Sequence, residues 1–352
     1  MSIRGKLTAL VLICTCALSL AVPLISEINQ VKDVPVITKP STESSTTPPE
    51  STQNEELSST PPVQAPPDDN ANEITVGVYL TDEESVIEMT LEEYIVCVVA
   101  AEMPYTFYTE ALKAQAVAAR TYCIYKLYNG STHEGGAQVC SDYSHCAAFV
   151  TRDELLSRYG EQVTNSIVTK ISNAVKATEG QILTYNNEPI LAAFHSRSYK
   201  YTESSLNVWG GYRPYLVSVP SPESDSVSTV TLTDKQLSEL FSSSSAVECV
   251  TSVKNTLTSE KNDSGRQSFL AYNGMMVKAK LLRSLFGFRS TAFEYERVDG
   301  GYVFTVHGYG HGVGMSQYGA NEMAKNGSSY DEILTHYYTG VTFGDASEFF
   351  SG

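Results

Sequence analysis

Residues 7–26 carry no charged side chain, and residues 27–72 are rich in Ser, Thr, Pro, Glu and Gln and poor in large apolar residues. Together these two stretches confine any packed core to the chain beyond residue 72. An uncharged apolar run of this length suits one helix across a bilayer. Arg4 and Lys6 before it and Glu27 after it favour residues 1–6 as a cytoplasmic tail and the remainder outside. A cleaved signal peptide is the alternative, with Ser19-Leu20-Ala21 as an acceptable small-x-small site. The retained anchor is preferred, because the apolar run continues past that site through Val22, Leu24 and Ile25. A lipoprotein is disfavoured: Ile13 precedes Cys14 and Thr15 precedes Cys16, where Gly, Ala or Ser is expected. Residues 27–72 cannot offset their ordering entropy by burial and read as a disordered tether. The folded ectodomain then spans 73–345, about 275 residues, enough for a large core or two lobes.

Within it, strands and helices are mixed, and the expected class is α+β: one two-lobed domain with a substrate cleft. Alternation over Ile74–Leu80 predicts a strand. Helices are predicted over 91–104, with Pro104 marking the end, over 110–128, and as one or two segments over 154–175. Residues 181–185 and 190–195 read as strands around an Asn186-Asn187 turn. The Ser/Thr-rich stretch 221–289, an insertion or second lobe, has a helical patch at Asp234–Phe241. A strand over 305–309 and a helix over 315–325 come next. Ser329-Tyr330-Asp331-Glu332 fits a capping box that opens a last helix, with Gly340 closing it. The formal net charge of −16 argues against nucleic acid or an anionic membrane surface as the main ligand.

Three places suggest chemistry. Leu91, Ile95 and Val98 share one helical face, and Glu102 continues that stripe. A carboxylate there meets desolvation and the negative end of the helix dipole, which both raise its pKa. A general acid at neutral pH needs such a shift. The alternative is a frayed last turn that leaves Glu102 in water. Second, His133, Cys140, His145 and Cys146 offer two imidazoles and two thiols in a polar, loop-like segment. They suit a tetrahedral zinc site, structural because four protein ligands close it; a Cys140–Cys146 disulfide is the competing reading. Cys97, Cys123 and Cys249 read as small buried hydrophobes. Third, glycines alternate from Gly308 to Gly314, letting the backbone bend and a ligand come close. Ser316, Gln317 and Tyr318 then place hydroxyl and amide groups near a helix N-terminus, which suits sugar hydroxyls and N-acetyl groups. A metal pair of His307 and His311 lacks a carboxylate at a natural spacing, and no Lys comes after the glycines as a phosphate loop would require.

Six stretches carry a resemblance: YIVCVVAAEMP (94–104), EALKAQAVAARTY (110–122), AAFHS (192–196), YTESSLNVWGGYRPYL (201–216), HGYGHGVGMSQYGANEMAKNG (307–327) and YDEILTHYYTGV (330–341). In this order they resemble the stage II sporulation protein D family, which also includes LytB-type amidase modifiers. The resemblance implies a peptidoglycan lytic transglycosylase that cuts between N-acetylmuramic acid and N-acetylglucosamine in strands stripped of peptide stems. It places the acidic catalyst of the AAEMP motif at Glu102. It makes Lys113, Arg120, His195, Tyr201, Ser316, Gln317 and Tyr318 candidate glycan contacts, with Lys113 and Arg120 on one helix face toward the cleft. The competing reading for those two is a salt bridge to Glu110. The implied partners are glycan strands, a peptidoglycan amidase that strips the stems, and a small membrane protein. The implied place is the mother-cell membrane, with the ectodomain facing the space around the forespore. One departure stands out: the family usually reads HS-x-SGG, whereas here Tyr199 and Lys200 occupy the two glycine positions.

Overall fold

The computed structural model describes residues 73–243, 248–249 and 256–350. The expected anchor and tether lie outside the described residues. Among the described residues no helix is long and apolar enough to cross a membrane.

Strands β1 (Thr75–Leu80) and β2 (Ser85–Thr90) pair antiparallel, with Thr75 opposite Thr90, and β3 (Val139–Cys140) runs parallel to β1. Thr90 ends β2 and opens helix α1 (Leu91–Glu102) through a capping box. Its hydroxyl accepts the Glu93 N–H at 3.2 Å, and the Glu93 carboxylate accepts the Thr90 N–H at 3.1 Å. Met103 is extended and ends α1 before Pro104, whose ring disfavours a helical residue ahead of it. Helix α2 (Thr109–Tyr128) is buried over much of its circumference; its alanines let the neighbouring elements approach closely. Gly160, at φ +75°, separates α3 (Arg152–Tyr159) from α4 (Glu161–Lys176). Asn186 and Asn187, both at positive φ, turn β4 (Gln181–Tyr185) into β5 (Glu188–Pro189).

The expected strand over 190–195 is shorter. Ala192 and Ala193 donate their N–H groups to the carbonyls of Ile190 and Leu191, and these local turns leave no ladder. Only β6 (Phe194–His195) pairs, in parallel with Met315–Ser316. The expected helix at 315 accordingly begins at Gln317, and the short helix α5 (Ser205–Trp209) lies between in sequence.

Among the described residues, two hydrophobic cores result. The first gathers β1, α1, α2, α4 and β4 with the C-terminal helices, through residues such as Val78, Ile95, Leu112, Ile171, Leu183 and Leu334. The second is built by the Ser/Thr-rich stretch, which carries no recognisable chemistry of its own: β7 (Val227–Thr233), α6 (Asp234–Ser243), β9 (Leu257–Lys261), β10 (Gln267–Tyr272), β11 (Met275–Lys278) and α7 (Ala279–Phe286), with β8 (Glu248–Cys249) paired along β11. It extends past residue 289, because Phe293 of β12 (Ala292–Val298) and Phe304 of β13 (Gly301–His307) pack into it. Phe288 lies 5.1 Å from Phe293 and 5.0 Å from Phe304 between ring centres.

Arg120 departs from its expected role. It is 0 % exposed and reaches across to α1 rather than along α2. Its Nε and Nη2 donate to the two Glu92 carboxylate oxygens at 2.7 and 2.6 Å, and Nη1 donates to the Gln181 carbonyl at 3.0 Å. The bidentate geometry commits this charge to holding α1 against α2 and β4. Glu92→Ala leaves that guanidinium buried without its counter-charge, a loss of about 3 kcal/mol or more. The expected fall in melting temperature is roughly 6–12 °C, read by differential scanning calorimetry.

Candidate active site

Glu102 is the last residue of α1, on the face that buries Leu91, Ile95 and Val98. Its carboxylate is half-buried, and each oxygen has one donor from a distant part of the chain. Oε1 accepts the Ala148 N–H at 2.8 Å, and Oε2 accepts an N–H of the Gln317 amide at 2.9 Å. Burial lifts its pKa above the usual carboxylate range, and the two hydrogen bonds oppose that shift without cancelling it. The negative end of α1 acts in the same direction as burial. The frayed-end alternative does not describe this residue. A carboxyl that keeps its proton to higher pH, held by two donors and with one face partly open, can give up a proton and later recover one.

Gln317 opens helix α8 (Gln317–Lys325), behind the paired strands β6 and β14 (Met315–Ser316). Ser316 caps α8: its Oγ accepts the Gly319 N–H at 3.2 Å and donates to a Glu223 oxygen at 2.5 Å. That oxygen also accepts the Ser198 N–H at 2.6 Å. His195, in register with Ser316, donates from Nδ1 to the Val313 carbonyl at 3.2 Å and accepts the Ser198 hydroxyl at Nε2 at 2.7 Å. Burial drives its pKa well below the ordinary histidine value, so it is neutral. The resemblance implies that His195 and Ser316 face a glycan. Both are instead buried with their polar atoms engaged, and they brace the wall that presents Gln317.

Gly308, Gly310, Gly312 and Gly314 all take positive φ, from +69° to +111°. The requirement is steric as well as conformational at Gly314, where an added Cβ would overlap the carbonyl oxygen of Ala193. This bent segment wraps β6 closely. The pair Tyr199-Lys200 achieves its turn without glycine: Lys200 sits at φ +62° and Tyr201 donates its N–H to the Tyr199 carbonyl at 2.7 Å. The Tyr199 ring stacks on His307 at 4.2 Å, and His307 Nδ1 donates to Asp225 at 2.6 Å, so the substituted turn is pinned by its own side chains.

The remaining candidates divide. Tyr201 is exposed. Tyr318 packs edge-on against Phe107 and lies under the Arg197 guanidinium, 3.6 Å from its ring centre. Lys113 pairs with Glu110 at 2.7 Å, the alternative raised for it, and Glu110 also accepts the Tyr330 N–H at 3.0 Å. Two contributors have no sequence signal: the Ala148 N–H is a main-chain donor, and Glu223 sits in an unremarkable polar stretch.

His133, Cys140, His145 and Cys146 converge, with ligand atoms all within 4.8 Å of one another. Cys146 Sγ lies 3.5 Å from His133 Nε2 and 4.0 Å from His145 Nδ1, and Cys140 Sγ lies 3.7 Å from His145 Nδ1. Both thiols are free rather than joined in the competing disulfide. In a tetrahedral zinc site, bonds of about 2.3 Å to sulfur and 2.0–2.1 Å to nitrogen give ligand–ligand edges of roughly 3.3–3.8 Å. The donor set fits such an ion, and the edges of 3.5 and 3.7 Å fall within that range. Burial pushes the Cys146 thiol up to about 11, against a backbone hydrogen bond from Cys140 that favours the thiolate; a bound dication reverses the preference for the thiol. The cluster closes the segment that leads directly to Ala148.

Comparison with known proteins gives the chain its family. The family model described as SpoIID, Stage II sporulation protein, matches residues 79–185, which include Glu102, α2 and the His/Cys cluster. Stage II sporulation protein D of Bacillus amyloliquefaciens is 38 % identical over 280 residues, covering 79 % of this chain and 81 % of that protein. Stage II sporulation protein D of Bacillus subtilis (strain 168) is 37 % identical over 289 residues, with the same coverage of 79 % and 81 %. Amidase enhancer of the same organism is 31 % identical over 299 residues, covering 70 % of this chain but 39 % of that longer protein. With likeness of this extent, the chain belongs to the stage II sporulation protein D family.

Proposed function

We propose that this protein is a membrane-anchored peptidoglycan lytic transglycosylase that acts on stem-free glycan strands during sporulation. The observation that carries the reading is Glu102: a half-buried carboxyl of raised pKa, with each oxygen oriented by one neutral donor. The names of the relatives support a role in sporulation and cell-wall processing. In this reading the glycan lies in a cleft between two lobes, over Glu102 and Gln317.

Glu102 enters the reaction protonated and donates to the glycosidic oxygen as the bond to C1 of muramic acid breaks. Charge of oxocarbenium character develops on the sugar, and the new carboxylate lies beside it. The Ala148 N–H and Gln317 amide stabilise that carboxylate without neutralising it. The carboxylate then takes the proton of the muramic-acid C6 hydroxyl, whose oxygen attacks C1 and closes a 1,6-anhydro ring. The nucleophile is part of the substrate, so one carboxyl serves in turn as acid and base, and the paired carboxylates of hydrolytic glycosidases are not needed.

His133, Cys140, His145 and Cys146 would hold a zinc ion that ties the 133–146 segment together and takes no part in bond breaking. The same reading includes an anchor over residues 7–26 in the mother-cell membrane, an ectodomain facing the forespore, and association with a stem-stripping amidase and a small membrane protein. A second reading, a glycan-binding activator of that amidase, is favoured by the relative named Amidase enhancer. Incubating the full-length protein alone with stem-free strands decides between them. Chromatography should show shortened strands; intact strands, together with faster stem release by an added amidase, would favour the activator.

A further inference from the structure

Four tyrosines that the proposed mechanism does not use meet at the C-terminal end of α2. Tyr125 and Tyr128 stand three residues apart on one face of that helix. Tyr185 closes β4, and Tyr215 lies in the turn after α5. With the β4–β5 turn they line a cavity of about 260 Å³. Tyr128 is 48 % exposed and meets Phe349 edge-on, 5.8 Å between ring centres. The rings of Tyr185 and Tyr215 lie 5.5 Å apart, tilted by 49°. The Tyr215 hydroxyl accepts the Leu191 N–H at 3.2 Å, which ties that ring to the main chain. None of the four is buried, so each keeps surface to offer a ligand.

The rest of the lining selects among ligands. Asn129, the C-cap of α2, and Asn186, at positive φ in the turn, bring carboxamides to the cavity. Glu188 stands opposite Tyr185 in the antiparallel register of β4 and β5, so their side chains share a face. Among the described residues no lysine or arginine lines the cavity, and Glu188 repels an anion. Arg213 sits beside Tyr125 and Tyr215, outside the lining, and opposes a cation. The aliphatic lining is limited to Pro189 and Ile190, both buried, so a lipid chain has little to pack on. What fits is a neutral ligand with C–H faces and a rim of hydroxyl and amide groups. The negative face of an aromatic ring attracts polarised C–H bonds, and carboxamides and a carboxylate pair with hydroxyls. An N-acetylated pyranose has this make-up, and the cavity has room for one ring rather than several.

The main chain links this cavity to the active site. Ile190 on its lining and His195 on the wall that presents Gln317 are five residues apart, so at most about 18 Å separates them. We propose that the tyrosine pocket is a second glycan-binding site, which holds a neutral N-acetylated sugar of a strand while another bond of that strand lies at Glu102. This rests on the glycan-cleaving reading of Glu102 and adds a preference for long strands. A sugar held in the pocket keeps the rest of its strand at high local concentration over the active site.

The test uses the full-length protein and two glycans, long stem-free strands and the disaccharide released from them. Binding is measured by calorimetry on Glu102→Gln, which leaves strands intact, and cleavage on wild type. Long strands should bind Glu102→Gln at least about a hundredfold more tightly than the disaccharide. Adding Tyr128→Ala or Tyr185→Ala should lower that advantage about tenfold, the worth of one aromatic stack. Tyr159→Ala, which removes an exposed ring of α3 outside the cavity, keeps the full advantage. Should Tyr128→Ala lower the melting temperature, Tyr128→Leu asks the same question, since it keeps apolar bulk but loses the flat face; it too should lose the advantage. Strands that bind no more tightly than the disaccharide, or tyrosine variants that retain the full advantage, overturn the second site. An advantage lost in the tyrosine variants, with a wild type that cleaves no strand, would uphold the site and reject the lyase. Strand cleavage by wild type, with an advantage indifferent to both tyrosines, would do the reverse.

Discussion

Glu102→Gln should reduce cleavage of stem-free glycan by between about a hundredfold and ten-thousandfold, the range for loss of a positioned general acid. The amide is nearly isosteric but has no proton to give at neutral pH and cannot later accept one from the C6 hydroxyl. Binding should survive, because the amide keeps the size and polarity of the carboxyl it replaces. Co-sedimentation and product analysis on the same samples separate the two effects. The pH dependence has a definite sign. The acid role needs the protonated form, and burial raises the pKa of Glu102. Activity therefore persists above the ordinary carboxylate range and is lost as pH rises through the raised value. Gln317→Ala removes a hydrogen bond that favours the charged form. Its alkaline limb should move to higher pH even as the rate falls from poorer positioning. An alkaline limb unmoved by this change would show that Glu102 is not the titrating group.

Removing the metal should have the second largest effect. For an ion held about a thousandfold below its working concentration, the lost stabilisation is about 4 kcal/mol. For a domain of this size the melting temperature then falls by roughly 8–16 °C. Calorimetry with and without a chelator reads the change, and elemental analysis reads the stoichiometry. Cys146→Ala should lose the ion and show the lower melting temperature without chelator. Catalysis should fall as well. Cys146 precedes Ala148 by two residues, and the Ala148 N–H orients one oxygen of Glu102. Freeing the 133–146 segment removes that donor from its fixed place. A purified protein with no bound metal, or a melting temperature indifferent to chelation, would overturn the zinc assignment.

Local pattern discloses a good part of this. The phase of α1 is legible from Leu91, Ile95 and Val98, and it puts Glu102 on the buried face where the structure has it. The turn at Asn186-Asn187 is legible because asparagine suits the positive-φ backbone found there. The His/Cys ligands are legible because short spacing limits how far apart they can lie. Partners chosen across long stretches of chain are not. Periodicity places Arg120 on the face of Lys113, but nothing in α2 tells that its guanidinium selects Glu92 of α1. The role of His195 depends on Ser198 and the Val313 carbonyl, which only the fold brings to its two nitrogens. The stretch 221–289 is opaque as sequence because its apolar residues are dispersed; paired strands are needed to gather Leu232, Leu270 and Val277 into one core.

One carboxyl, Glu102, is held to break the glycosidic bond with the substrate's own hydroxyl as nucleophile. Mass spectrometry of products formed by the full-length protein in heavy-oxygen water tests this most directly. Wild type should yield 1,6-anhydro ends free of heavy oxygen, and Glu102→Gln should yield no such ends. Reducing ends labelled with heavy oxygen, or anhydro ends in undiminished yield from Glu102→Gln, would contradict that role.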